Sequence, residues 1–286
     1  MDLKKNGIFV PIMAVGIYFI LRIFEWIGLN ATQGYILQLM LIFYSIVYVK
    51  DHDKKTSHKI LIILGGVFCL IGDMFLASAF RPLLEKLNLT GFRMPFGMLG
   101  FFIGNILWFI SLCQHHDNIS MKRFYKVFLL VAASLILLWF VTIFNTDNLL
   151  LSILALVYCF GLGLNLTYAI ANLKQDKLYK VLLVGYIVFI FSDLWIGIND
   201  IKGFDTNPYV LGQDAVVIWL SYVIALACIF YFHASYQRRK NDSWWIYLFI
   251  RWEHKFQIKS NTFTYFKSFS WYHLSIFLSD DWIFLS

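Results

Sequence analysis

Charge is scarce in this chain. Of its 286 residues only 14% are Asp, Glu, Lys or Arg, while 60% are hydrophobic. Soluble domains run at about 45–50% apolar and a quarter charged, and the mean hydropathy here is +0.68. Such a composition cannot clothe a water-facing surface. A soluble class is excluded, and the chain reads as all-α, a polytopic membrane helix bundle. Cysteine is also sparse: Cys69, Cys113, Cys159 and Cys228 fall at wide spacings inside apolar runs, with neither a disulfide framework nor a metal-ligand spacing. There is no histidine cluster, His115 and His116 standing at a loop edge, and no lysine in a late span for a Schiff base. No metal or other cofactor is expected. The net charge of +7 would suit nucleic acid only if the basic residues shared one face. They are scattered between apolar runs, so nucleic acid is excluded as a partner and membrane lipids are expected instead.

What is abundant is long apolar sequence. A membrane span needs about 20 predominantly apolar residues, and eight stretches qualify, at roughly 7–28, 32–49, 60–80, 95–113, 124–144, 149–171, 180–200 and 211–233. Lys and Arg in the connections set orientation. One side carries Lys4, Lys5, Lys50, Lys54, Lys55, Lys59, Lys122, Arg123, Lys126, Lys174, Lys177, Lys180, Arg238, Arg239 and Lys240. The other carries only Arg81, Lys86, Arg93 and Lys202. The asymmetry predicts both termini on the cytoplasmic side of what is read as a bacterial cytoplasmic membrane. The opening MDLKKNGIFVPIMAV is positive and then apolar like a signal peptide, but its apolar run is too long and lacks a small-residue cleavage site, so it is read as a retained first span. Residues 1–236 form the membrane domain. The tail, 237–286, is of another kind: from 241 onward it contains 15 aromatics in 46 residues and no Gly, Ala, Val or Pro. It reads as disordered, as an interfacial segment, or as AT-rich sequence translated beyond a shifted frame.

Two acids stand where lipid should be. An Asp at the bilayer centre costs roughly 2.5–3.5 kcal/mol on insertion scales. Asp73 lies 14 residues beyond Lys59 and Asp193 lies 13 beyond Lys180, on two spans running the same way. At 1.5 Å per residue both fall about 20 Å from the inner edge, matched in depth as a two-carboxylate site requires. Other polar residues share the outer half: Asn105, Asn199 and Asp200, with Asp200 on the same helix face as Asp193. Arg22 and Glu25 read as a local ion pair, Gln33 and Gln38 open the second span, and Asp214 opens the eighth. Asp200 and Asp214 read as solvated. Gly65–Gly66 and the GLGLN stretch at 161–165 read as close helix packing, and Asn105 serves either as interhelical hydrogen-bonding glue or in the site.

GDMFLA (72–77), FGMLGFFIGNILW (96–108), GYIVFIFSDLWIGIND (185–200) and VVIWLSYVIALACI (216–229) together resemble the YhhN-like lysoplasmalogenase family, from residue 7 to about 236 and in the right order. The resemblance implies eight spans with a Gly-Asp motif in the third and a Ser-Asp motif in the seventh. It implies hydrolysis of the vinyl-ether bond of a lysoplasmalogen to a fatty aldehyde and glycerophospho-ethanolamine or -choline. Its acidic pair falls on Asp73 and Asp193 as catalytic residues, and its serine on Ser192. Asn105, Ser192, Asn199 and Tyr222 are the substrate-binding candidates, and a lysophospholipid is the expected partner. Where the family shows G-x-x-x-F-x-x-x-H-x-x-Y, this chain has Gly97, Phe101, Asn105 and Trp108; if that histidine shuttles protons the activity here is reduced or altered, and if it only hydrogen-bonds Asn105 can serve. The alternative from the residues alone is a non-catalytic lipid-binding or transport protein whose two acids hold a cation or relay protons.

Overall fold

The computed structural model describes residues 9–23, 32–49, 56–114, 121–202 and 216–236. They form α1 (Phe9–Ile23), α2 (Thr32–Tyr48), α3 (Thr56–Leu76), a short α4 (Arg81–Lys86), α5 (Arg93–Gln114), α6 (Met121–Thr142), α7 (Leu149–Asn172), α8 (Leu178–Asp200) and α9 (Val216–Ser235), with no strand among the described residues. Helix is the required solution for so apolar a chain, because it satisfies every backbone N–H and C=O within one segment. Proline is placed accordingly: Pro11, Pro82 and Pro95 all sit in first turns, where the missing N–H costs nothing.

The eight long helices correspond to the eight expected spans. Six of them, α3 and α5 to α9, are long and apolar enough to cross a membrane, while α1 and α2 are shorter apolar helices. The third span, expected to reach residue 80, ends at Leu76. Ser78 turns left-handed at φ 64°, and the Ser78 and Ala79 N–H groups close back on Phe75 and Met74, a turn that terminates a helix. Arg93 caps the same end, its Nη1 donating to the Leu76 carbonyl at 2.8 Å and to Ser78 Oγ at 3.1 Å.

Large apolar side chains point outward along these helices: Leu129, Leu130 and Leu137 of α6 are 67%, 70% and 65% exposed. In water this would be a severe liability, but against lipid tails it is the expected surface. Inside, α3 and α5 make the closest pair, followed by α8 and α9, with α7 packed on α5, α6 and α8, and α9 reaching α1 and α2. Glycine makes the α3–α5 approach possible. A Cβ on Gly100 would lie 2.9 Å from the Phe68 carbonyl and 3.0 Å from Gly72 Cα, and one on Gly104 would lie 2.8 Å from the Gly65 carbonyl. Small residues at such a seam let two backbones touch. Gly65 and Gly66 are filled against by Trp108 and by Phe230 with Ile42, and Gly161 and Gly163 by Phe102 and Leu135, so the packing expected for both stretches is present.

Candidate active site

Asp73 sits on α3 one turn from its end, and the glycine before it has a geometric purpose. A Cβ on Gly72 would come within 3.0 Å of both the Gly97 carbonyl and Phe101 Cδ2. Only glycine lets α5 lay Phe101 against α3 at this level. The carboxyl is buried, with 7% of the residue exposed. Its hydrogen-bonding neighbours are Tyr222 of α9 and Gln38 of α2. Gln38 Nε2 donates to the Tyr222 hydroxyl at 3.0 Å. With its oxygen so engaged, Tyr222 directs its own hydrogen toward Asp73. The second carboxyl oxygen, Oδ2, has no partner among the described residues.

Asp193 sits on α8 and receives the hydroxyl hydrogen of Tyr158 of α7 on its Oδ2. Ser192, beside it, points elsewhere: fully buried, it donates to the Ile218 carbonyl of α9 at 3.0 Å. That bond ties α8 to α9 and sets the rotation that turns Asp193 toward α7. A charge-assisted bond to a carboxylate contributes about 1.5–3 kcal/mol, so one phenol per acid offsets much of what burial costs.

Phe101 joins the two halves. Its ring packs 6.0 Å from Tyr158, 6.0 Å from Tyr222 and 6.3 Å from Phe189, all centroid to centroid. The phenols that hold the two acids therefore pack against one ring. The two acids nonetheless have different surroundings. A cavity of about 50 Å³ opens among α5, α6, α7 and α8, and its wall includes Asp193, Tyr158, Cys159 and Phe101 among otherwise apolar side chains. Asp73, Tyr222 and Gln38 are not in that wall.

Asn105 lies one turn further in than Phe101 and is fully buried. Its Nδ2 donates to the Phe101 carbonyl at 2.9 Å, and Asn165 Nδ2 donates to the Asn105 carbonyl, also at 2.9 Å. The Asn165 amide thus fastens α7 to α5 beneath the aromatic ring, while the Asn105 amide bonds back within its own helix. Asp200 is exposed, as expected, and its Oδ2 lies 3.7 Å from Arg93 Nη2, a solvent-facing ion pair at the mouth of the bundle. Asn199 falls within α8, but its side chain lies outside the described residues, as do Arg22, Glu25, Gln33, Asp214 and the 237–286 tail. Tyr158 was absent from the sequence-derived site. Its signal was a phenol deep inside an apolar helix, where a buried tyrosine hydroxyl nearly always finds a partner. Among the described residues no group of three or more His, Cys, Asp and Glu could hold a metal ion.

A bundle of apolar helices carrying two phenol-bound carboxyls defines a class: an integral, polytopic α-helical membrane protein with an acidic pair within its helices. The family is more specific. The YhhN family profile matches residues 34–231, which takes in Gln38, Asp73, Asn105, Tyr158, Asp193 and Tyr222, and the chain belongs to that family. No curated protein and no solved structure matches it.

Proposed function

We propose that the protein is a membrane hydrolase of the lysoplasmalogenase type, acting from a bacterial cytoplasmic membrane on the vinyl-ether bond of a single-chain ether lipid. The observation that carries this is the pair of acids, Asp73 buried and Asp193 half-buried, each held by its own phenol on either side of Phe101. Vinyl-ether cleavage needs such a pair. A carboxylic acid delivers a proton to the terminal carbon of the double bond, leaving an oxocarbenium ion. A carboxylate takes a proton from water as its oxygen adds to the cationic carbon. The hemiacetal then collapses, its hydroxyl proton passing to the departing glycerol oxygen, to give the fatty aldehyde and a glycerophospho-base. The sum is addition of one water across the ether, and the proton lent at the start is returned. Paired carboxyls divide acid and base duties in this way in glycoside hydrolysis, which passes through a related cation. Two acids sharing a low-dielectric site are pushed apart in protonation state, as the division of labour requires.

Asn105 fits this chemistry as a supporting residue. Its amide holds the backbone beneath Phe101 and carries no proton to the reaction. The test is aldehyde release from a purified lysoplasmalogen by the full-length protein, beside Asp73→Asn and Asp193→Asn. Turnover by the parent and none by either variant, with lipid still bound, is the expected result. Binding without release by the parent would favour the lipid-binding alternative, and loss of lipid binding in both variants would favour a cation site.

A further inference from the structure

The two carboxyls differ in what can reach them. Asp193 stands in the wall of the cavity, and Asp73 does not. The far end of that cavity, on the side away from Lys59 and Lys180, is shut. Met94, Ile143, Ala155 and Ile201 close over it as a separate apolar cluster. The α6–α7 turn is pinned there by hydrogen bonds from Asn145 and Asn148 to the Ile201 carbonyl at 2.8 and 3.2 Å, and Lys202 Nζ reaches the Val141 carbonyl at 2.7 Å. Sideways the enclosure is thin. α6 packs chiefly on α7 and meets α8 only sparingly, notably where Ile143 fills the notch at Gly197. Of the spanning helices it is the least buried, at 17% of its apolar window. On this flank α6 lines the cavity with Leu135, Leu138 and Trp139, and α8 with Ile190, Asp193, Leu194, Ile196 and Gly197, and the outer face of α6 carries the lipid-facing Leu130 and Leu137.

We infer that this cavity is the docking site of a single unbranched hydrocarbon chain, admitted sideways from the bilayer between α6 and α8, so that Asp193 and not Asp73 is the carboxyl that meets the substrate. The inference rests on the lipid-hydrolase reading for the identity of the guest. At about 50 Å³ the cavity has room for one or two waters at liquid density, so an entering chain must part its walls. α6 is the wall free to yield, being fastened to the bundle mainly through one neighbour. Asp73, bound by Tyr222 and Gln38 away from the cavity and with its Oδ2 unpartnered among the described residues, takes the other duty of the pair: Asp193 delivers the proton to the double bond and Asp73 accepts the proton of the attacking water.

The test needs no turnover. Dicyclohexylcarbodiimide partitions into bilayers and adds to a protonated carboxylic acid, the carboxyl oxygen bonding to the carbodiimide carbon and the proton passing to nitrogen. Acyl shift then leaves a stable N-acylurea with no group lost. Full-length protein in phosphatidylcholine vesicles is labelled over a range of pH, digested and mapped by mass spectrometry. Expected are modification at Asp193 with Asp73 spared, protection of Asp193 by a non-cleavable single-chain alkyl-ether lysolipid, and severalfold slower labelling in Leu138→Trp, which narrows the portal. Leu137→Trp, on the lipid face of the same helix, should label as the parent does. Equal labelling of Asp73, no labelling of Asp193 at any pH, or no protection by the lysolipid would overturn the inference, and the parent's own pattern is enough to decide between these outcomes if a variant fails to fold. The two readings fail separately. Protected labelling of Asp193 without aldehyde release would keep the chain site and end the hydrolase. Aldehyde release with labelling confined to Asp73 would do the reverse.

Discussion

Replacing Gly100 by alanine adds one methyl group where the backbones of α3 and α5 meet. Its Cβ would lie 2.9 Å from the Phe68 carbonyl oxygen and 3.0 Å from both Cα and N of Gly72. All three are backbone atoms, so no rotamer change relieves the contact, and α3 must move away from α5. Overpacking of this kind costs about 1–3 kcal/mol, while alanine regains at most about 1 kcal/mol in helix propensity. A net loss of about 1–2 kcal/mol is expected. Gly16 is the matched control, also inside a helix but with nothing within 4 Å of its Cβ position. There the same change should be neutral or stabilising by up to about 1 kcal/mol. The chain supplies its own reporter, since Cys69 and Cys113 are fully buried free thiols. A fluorogenic maleimide added to detergent-solubilised protein will light up as they become exposed on heating. Gly100→Ala should melt below the parent and Gly16→Ala at or above it. If Gly100→Ala melted as high as Gly16→Ala, α3 and α5 would not be packed backbone to backbone, and the placement of Phe101 between the two phenols would go with them.

Three further expectations follow from single contacts. Tyr158→Phe removes the hydroxyl donated to Asp193 and should lower kcat for aldehyde release about tenfold to a hundredfold, on the scale of losing one charge-assisted bond, with KM for the lipid little changed. A fall in affinity alone would show that the phenol serves binding. Gln38→Leu leaves the Tyr222 hydroxyl without its donor, and the thiol melt should report a loss of about 1–3 kcal/mol; an unchanged melt would mean that the hydroxyl has another partner. Arg93→Ala uncaps the Leu76 carbonyl and leaves Asp200 without its cation. Because Arg93 is partly exposed and the ion pair is loose, about 1–2 kcal/mol is expected, and a Tm no lower than the parent's would remove Arg93 as the clamp at the mouth.

Much of the architecture was legible in one dimension, for a definite reason. Hydropathy summed over twenty residues is a local quantity, and the penalty for exposing backbone in lipid leaves helix as the only solution, so eight long helices could be read before any contact was known. Ser78 shows the limit of that reading. Nothing in the apolar run through 80 marked the stop, which came from a left-handed turn capped by Arg93, a residue 15 positions further on. Asp73 and Asp193 were legible as anomalies, because a carboxyl inside an apolar helix is costly wherever the helix sits. Tyr222 fell among the candidates and holds Asp73. Ser192 also fell among them, but its hydroxyl is spent on the Ile218 carbonyl. The rotation of α8 about its own axis separates those two outcomes, and rotation is set by what the neighbouring helices offer.

The sequence by itself therefore determined that the chain is a helical membrane protein, roughly where its helices run, and that two acids lie within them. Only the tertiary structure decided which partners those acids have. Gln38 and Tyr222 meet across 184 residues, and Tyr158 meets Asp193 across 35. Such pairings depend on how far two helices approach and how each is turned. Here the approach is governed by Gly72, Gly100 and Gly104, where a missing side chain is what allows backbone to touch backbone. The same packing placed Asp193, and not Asp73, in the wall of the cavity among α5, α6, α7 and α8.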